Sequence, residues 1–187
     1  MSLTQKVRFT PKVLAYAGIM LAIAYILSYF RVYQFPMSGS VTPMSMFFVS
    51  FIGICFGPKV GLVSAVTFGL LQLTNNPFIV HPIQLILDYP LAFGALGLAG
   101  FFHGKKHGML IGFAVGVVGR WFFSSLSGYF FFYQWAWDGW SVLPYTMAYN
   151  AIYMFTEMVA SMVVVLIPPV YIAINLVKNR LSERKIA

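Results

Sequence analysis

The sequence predicts an all-α polytopic membrane protein with six transmembrane helices and both termini in the cytoplasm. Three observations lead there. The 187 residues are 60% hydrophobic and 9% charged, whereas soluble domains carry about 25% charged residues. Six apolar runs, 11–30, 41–57, 59–75, 80–102, 108–133 and 144–176, suit a crossing of roughly 20 residues. The basic residues gather on one side of those runs. With neither a fixed-period repeat nor a low-complexity stretch, residues 1–187 read as a single transmembrane domain.

The first run, Val13 to Phe30 at its most apolar, is too long for a signal-peptide core and lacks a small-residue cleavage site, so it reads as a span. The second and third runs are short and meet at Phe56-Gly57-Pro58-Lys59, a turn that ends one helix and starts the next. The fourth holds Asp88 and the fifth Arg120. The sixth is long, and Ile167-Pro168-Pro169 should kink or end it.

Ten of the 12 basic residues then share one face: Lys6, Arg8 and Lys12; Lys59; Lys105 and Lys106; Lys178, Arg180, Arg184 and Lys185. The positive-inside rule makes that face cytoplasmic. The net charge of +8 is thus a topology signal, and no nucleic acid is expected as a partner. Arg31, at the first outer loop, and Arg120, inside a span, are the two exceptions. The outer loops are otherwise almost uncharged and rich in Pro, Asn, Tyr and Trp. Residues 133–144 alone hold three of the four tryptophans, which suits an interfacial belt or a lid over an aromatic or cationic ligand.

The motifs that would mark other classes are missing. There is no phosphate-binding G-x-x-x-x-G-K-[ST], no H-E-x-x-H and no G-x-S-x-G elbow. The lone Cys55 forms no intrachain disulfide, and His81, His103 and His107 are not spaced as ligands, so no metal site and no catalytic residue are expected. His81, before Pro82, reads as a helix cap or loop residue. Two matching six-helix halves, a common secondary-transporter plan, are also absent.

Asp88, Arg120 and Glu157 remain as ionisable residues within spans. Each costs at least ~2.5 kcal/mol there, so each should face the bundle interior and find a partner. At 1.5 Å per residue, Asp88 lies roughly 12 Å and Asn150 about 9 Å below the outer ends of their helices, and Arg120 about 18 Å above an inner end. Glu157, about 20 Å down the sixth span, falls below this level, and a structural role is expected for it. Helical spacing aligns His81, Gln84 and Asp88 with Tyr89 beside them. It also aligns Arg120, Ser124, Gly128 and Phe132, and Thr146, Asn150, Tyr153 and Glu157 with Tyr145 at the mouth. Three polar stripes at matching depth imply a small cavity open to the outside, fit for a polar aromatic molecule. The alternative is an Asp88–Arg120 ion pair that only holds two helices together.

The stretches HPIQLILDYPLAFGALGLAG, from His81, and GRWFFSSLSGYFFFYQWAWDGWSVLPYTMAYNAIY, from Gly119, resemble the substrate-binding S-components of energy-coupling factor (ECF) vitamin transporters. The thiamine-specific (ThiT/YuaJ) group is the most similar. The resemblance implies a six-helix protein of the bacterial plasma membrane that captures thiamine from outside with high affinity. It implies association with an EcfT transmembrane subunit and two EcfA-type ATPases, and toppling in the lipid bilayer to release the vitamin. No cofactor is implied, and ATP is used only by the partner subunits.

Carried over by position, the family's acidic-Tyr pair falls on Asp88 and Tyr89, its basic residue on Arg120, its helix glycine on Gly128 and its loop tryptophan on Trp137. Its Tyr and Asn fall on Tyr145 and Asn150. The small-x-x-x-small face toward EcfT falls on Gly18 and Ala22, where close backbone approach is possible. Two positions depart from the pattern: Ser124 stands where a histidine is expected, and Phe132 where a stacking tryptophan is expected. Thiamine has a permanently cationic thiazolium ring, so Asp88 is expected to be its counter-charge. Arg120 is expected to orient Asp88 or to meet the hydroxyethyl end. An S-component for a related vitamin or precursor and a structural membrane protein without a ligand stay open as alternatives.

Overall fold

The computed structural model describes residues 9–183, so Lys6, Arg8, Arg184 and Lys185, on which the charge pattern partly rests, lie outside the described residues. The chain is helical apart from one two-stranded hairpin. Helix α1 (Pro11–Tyr29) leads to the antiparallel pair β1 (Tyr33–Gln34) and β2 (Ser40–Val41), with Tyr33 opposite Val41 and Gln34 opposite Ser40. Helices α2 (Ser45–Phe56) and α3 (Pro58–Gln72) follow, then the composite span α4 (Pro82–Phe102) and helices α5 (Gly108–Phe131), α6 (Val142–Leu166) and α7 (Pro168–Glu183).

Four of these, α1, α4, α5 and α6, are long and apolar enough to cross a membrane. The other two expected spans are shorter. At 1.5 Å per residue, the 12 residues of α2 reach about 18 Å and the 15 of α3 about 22 Å, against a hydrocarbon core of about 30 Å. The expected second span began at residue 41. Its helix begins at Ser45, because Ser40 and Val41 pair with β1 instead. The expected sixth span divides at Ile167, where Pro168 and Pro169 lack the N–H groups a continuing helix needs, and α7 starts anew.

Helix α2 is the buried axis. Every residue in it except Phe48 is buried, as expected of a helix that is hydrophobic all round. Helices α1, α3, α5, α6 and α7 and the last segment of α4 pack around it. Beside it, α4 and α3 meet backbone to backbone. A Cβ on Gly97 of α4 would lie 2.6 Å from the Leu62 Cα and 2.7 Å from the Gly61 carbonyl oxygen. Helix α1 is peripheral. Its buried face is Val13, Ala17, Met20, Ala24 and Ser28, while Leu14, Ile19 and Ile26 face outward.

Span α4 changes helix type along its length. It is α-helical over Pro82–Ile86, opens into a π turn over Leu87–Leu91, and tightens to a 3-10 helix over Ala95–Phe102. Pro90 lies inside the π turn, where its missing N–H removes one rung of the regular ladder. The apolar run 80–102 predicts one regular helix, and the structure departs from that at Pro90.

Gly97→Val should lower the thermal midpoint of the detergent-solubilised protein by about 2–12 °C, since overpacking costs about 1–3 kcal/mol. Gly18→Val should leave it unchanged, because a Cβ there meets nothing within 4 Å. Thermal unfolding followed by size-exclusion chromatography checks both, and equal midpoints would refute the packing account.

Candidate functional site

Because α2 starts at Ser45, the outer part of the bundle has no central helix, and a cavity lies there. Its void, open mouth and adjoining solvent space included, is about 1030 Å³. Thr42, Ser45 and Glu157 line it at the N-terminal end of α2. Glu157, only 2% exposed, has one carboxylate oxygen accepting from the Thr42 N–H (3.0 Å) and Thr42 hydroxyl (2.7 Å). The other accepts from the Ser45 hydroxyl (3.2 Å) and the Met46 N–H (3.0 Å). Met44, in the left-handed region, supplies no side-chain cap, so a carboxylate from α6 takes an orphan donor of α2, where a helix end favours negative charge. The expected structural role of Glu157 is therefore seen, but it also reaches the cavity.

One wall is α4. Gln84 is 1% exposed and its amide is fully engaged. Its oxygen accepts from Val80 N–H (3.1 Å), and its nitrogen donates to the Phe78 carbonyl (3.1 Å) and to Asp88 Oδ2 (2.6 Å). Gln84 thus binds the loop before α4 to the helix and orients Asp88, instead of offering its amide to the cavity. The Ser127 hydroxyl of α5 also lies beside the Asp88 carboxylate. The Tyr89 hydroxyl accepts from Phe78 N–H at 3.0 Å. Behind them α3 comes so close that a Cβ on Gly69 would lie 2.4 Å from the Tyr89 carbonyl oxygen. His81, as expected, caps the helix: Nδ1 accepts from Ile83 N–H at 3.1 Å.

The opposite walls come from α5 and α6. Arg120, Ser124, Gly128 and Phe132 line the cavity from α5, and Tyr145, Thr146, Asn150 and Tyr153 from α6. Gly128 allows the two helices to meet, since a Cβ there would lie 2.8 Å from the Thr146 methyl group. Asn150 donates to the Thr146 carbonyl (2.9 Å) and accepts from the Tyr153 hydroxyl (2.6 Å). The Arg120 guanidinium lies 4.0 Å from the centroid of the Phe93 ring, and its Nε is buried with no hydrogen-bond partner. Asp88 and Arg120 form no ion pair within 4.0 Å among the described residues. The pair that would only hold helices together is not what the geometry contains, nor does Arg120 hydrogen-bond Asp88.

Nine of the ten expected site residues thus meet at one cavity. Trp137 does not line it. It packs edge-on against Tyr145, centroids 5.2 Å apart, and against Trp140, so it backs the wall from outside. The tryptophan that joins Phe132 is Trp135, at 5.6 Å, with Phe78 completing the cluster 5.9 Å from Phe132. Gly18 and Ala22 lie far from the cavity on the exposed face of α1.

The hairpin side of the site was missed. Met37, Ser38, Gly39 and Ser40 line the cavity, held by the Tyr149 hydroxyl donating to the Pro36 carbonyl. Arg31 donates from Nη2 to the carbonyl and side-chain oxygens of Asn75, both at 3.1 Å, joining the first and second outer loops. The one available signal was Arg31 itself, a cation on the side that the positive-inside rule leaves neutral. Among the described residues no three His, Cys, Asp or Glu side chains gather as a metal site.

A family model described as "Thiamine transporter protein" matches residues 14–176. The thiamine transporter ThiT of Bacillus subtilis (strain 168) is 36% identical over 146 residues, covering 69% of this chain and 74% of that protein. A solved structure of ThiT from Listeria monocytogenes superposes with a TM-score of 0.67 at 20% identity, covering 92% of this chain and 94% of the other. At that identity the superposition establishes the shared fold.

Glu157→Ala should destabilise the folded protein by on the order of 3 kcal/mol, because it leaves the buried Thr42 and Met46 N–H groups unpartnered. Glu157→Gln, which keeps one acceptor oxygen, should fall between. Thermal unfolding in detergent measures both, and a midpoint unmoved by Glu157→Ala would remove Glu157 from the cap.

Proposed function

The chain belongs to the thiamine transporter protein family, and on that premise we propose that it is the thiamine-binding S-component of an ECF transporter, capturing the vitamin from outside with high affinity. It is a multi-pass protein of the bacterial plasma membrane with a role in thiamine transport, and not an enzyme.

The observation that carries the proposal is the state of Asp88. It lines a cavity walled by Tyr89, Phe93, Phe132, Tyr145 and Tyr153, is oriented by Gln84 with the Ser127 hydroxyl beside it, and has no basic side chain within 4.0 Å among the described residues. Such a carboxylate suits a ligand that brings a cation or an N–H donor, and thiamine has both, a thiazolium ring and an aminopyrimidine. The aromatic faces offer stacking and cation–π contact, each on the order of 1 kcal/mol. Asn150 has a second amide N–H for the pyrimidine edge, and Arg120, which lines the same wall, is placed to meet a ring nitrogen or the hydroxyethyl oxygen. Ser124 and Gly128 leave room for the rings.

Uptake needs an energy source, and the sequence carries no phosphate-binding loop. The proposal therefore includes an EcfT transmembrane subunit and two EcfA-type ATPases. The face of α1 around Gly18 and Ala22 suits that docking, being exposed and without side-chain bulk.

Thiamine at nanomolar to low-micromolar concentration should saturably quench tryptophan fluorescence of the purified protein. Asp88→Asn should weaken binding about 30–100-fold while the protein stays folded, as expected for a charge-assisted contact. Saturation curves unchanged by Asp88→Asn would discard the counter-charge, and no calorimetric signal from wild type would discard thiamine. Gly18→Leu should keep thiamine affinity and lose co-purification with EcfT. Retention of the complex would move the docking face elsewhere.

A further inference from the structure

We propose that α7 is a membrane-surface anchor, lying in the inner leaflet with its last turn set on anionic lipid headgroups. This does not depend on which ligand the cavity takes.

The helices beside α7 fix its depth. A Cβ on Gly128 of α5 would touch Thr146 of α6, so the two helices share a level there. From that level α5 runs 20 residues back to Gly108, next to Lys105 and Lys106 of the cytoplasmic loop, and α6 runs 20 residues on to Leu166. Each stretch is about 30 Å, the thickness of the hydrocarbon core. The α6 crossing is therefore complete at Leu166, and the break at Pro168 and Pro169 falls at the inner surface.

The chain does not turn polar at that point. From Pro168 to Val177, Asn175 is the one residue that is neither apolar nor aromatic. Val170, Ile174 and Leu181 recur on one face, and Ile174 and Leu181 pack into the core around α2, which pins the helix to the bundle. Ile172 and Leu176, one turn apart on the opposite face, are 58% and 57% exposed, and Tyr171 and Val177 are exposed on the flanks. A helix that is apolar all round belongs in hydrocarbon on every side that protein leaves free. At this depth the apolar phase is the inner leaflet. An axis pointing into the cytoplasm would put these four side chains in water.

The end of the helix indicates the headgroup. In the last ten residues Lys178, Arg180, Arg184 and Lys185 stand against Glu183 alone. Lys178 Nζ donates to Asn175 Oδ1 at 2.8 Å, which holds the ammonium against the helix, and Arg180 is exposed. An apolar helix that ends in a basic cluster at the cytoplasmic face is complementary to anionic lipid, and each Lys or Arg adds roughly fivefold to that attraction.

The test is spin-label depth in nanodiscs of phosphatidylcholine and phosphatidylglycerol, with Ile172→Cys, Leu176→Cys and Asn179→Cys introduced singly into the full chain. Cys55 is fully buried, and wild type taken through the same labelling is the blank. Oxygen should reach the labels at positions 172 and 176 while a water-soluble nickel chelate does not, and the chelate should reach position 179. Lipid that stays with the protein on extraction should be enriched in phosphatidylglycerol. Lys178→Gln combined with Arg180→Gln should lower that enrichment about fivefold per charge removed, with monodisperse elution confirming the fold. Chelate reaching positions 172 and 176 in the nanodisc would overturn the proposal, and shielding that arises only when EcfT is added would give this face to a protein instead. Shielded labels with no enrichment, or with enrichment unmoved by the double substitution, would overturn the anionic contact.

Discussion

The cavity depends on a helix that stops short. Helix α2 is the axis around which the other helices pack, and it is about 18 Å long where a crossing needs about 30 Å. The missing length is on the outer side and has to be closed by something other than helix. A hairpin strap closes it from above, and the Glu157 carboxylate closes the open end of α2 from the side. The same four hydrogen bonds fix the hairpin's last strand, through Thr42, and the helix start, through Ser45 and Met46. Left unpaired, those buried N–H groups would each cost about 1–3 kcal/mol. One acidic residue on α6 therefore does for α2 what capping residues and solvent do in soluble proteins.

Around that floor the polar groups divide into two kinds. Gln84, Glu157 and the hydroxyls of Tyr149 and Tyr153 are engaged with the protein itself and hold loops and helices in register. Asp88 lines the cavity with no basic side chain within 4.0 Å among the described residues, and one Asn150 N–H on the facing wall has no protein partner. A buried unpartnered polar group costs about 1–3 kcal/mol. A carboxylate and an amide in that state on one void suit a ligand's own cation and acceptor.

Much of this was legible in the sequence because helical periodicity is a strong signal over long spans. The Arg120–Ser124–Gly128–Phe132 stripe and the Tyr145–Asn150–Tyr153 stripe project from regular helices, so spacing alone brought their faces together. The hairpin was not legible. Its strands are two residues long, too short for an alternation pattern; Tyr33, Gln34 and Ser40 fall in a stretch that reads as an outer loop, and only Val41 in the run that reads as the second span. Spacing places Gln84 in the right stripe but does not reveal that its amide is tied to Phe78 and Val80, because those partners are on a loop whose path no periodicity describes. Trp137 failed for a similar reason: residues 132–141 turn so that Trp135 meets Phe132 and Trp137 falls behind Tyr145.

The π turn in α4 links these points. A regular helix from Pro82 to Phe102 would keep one angular register throughout, and Pro90 would leave the carbonyl four residues before it without a donor. Widening over Leu87–Leu91 absorbs that defect and shifts the register between its two sides. On the outer side Gln84 and Asp88 face the cavity, and on the inner side Gly97 faces the backbone of α3. Gly69 lets α3 lie directly behind the widened turn, against the Tyr89 carbonyl. The irregular segment is thus where a packing surface becomes a binding surface. Asp88, the residue whose presence in an apolar span most needed explaining, belongs to the turn that makes the change possible.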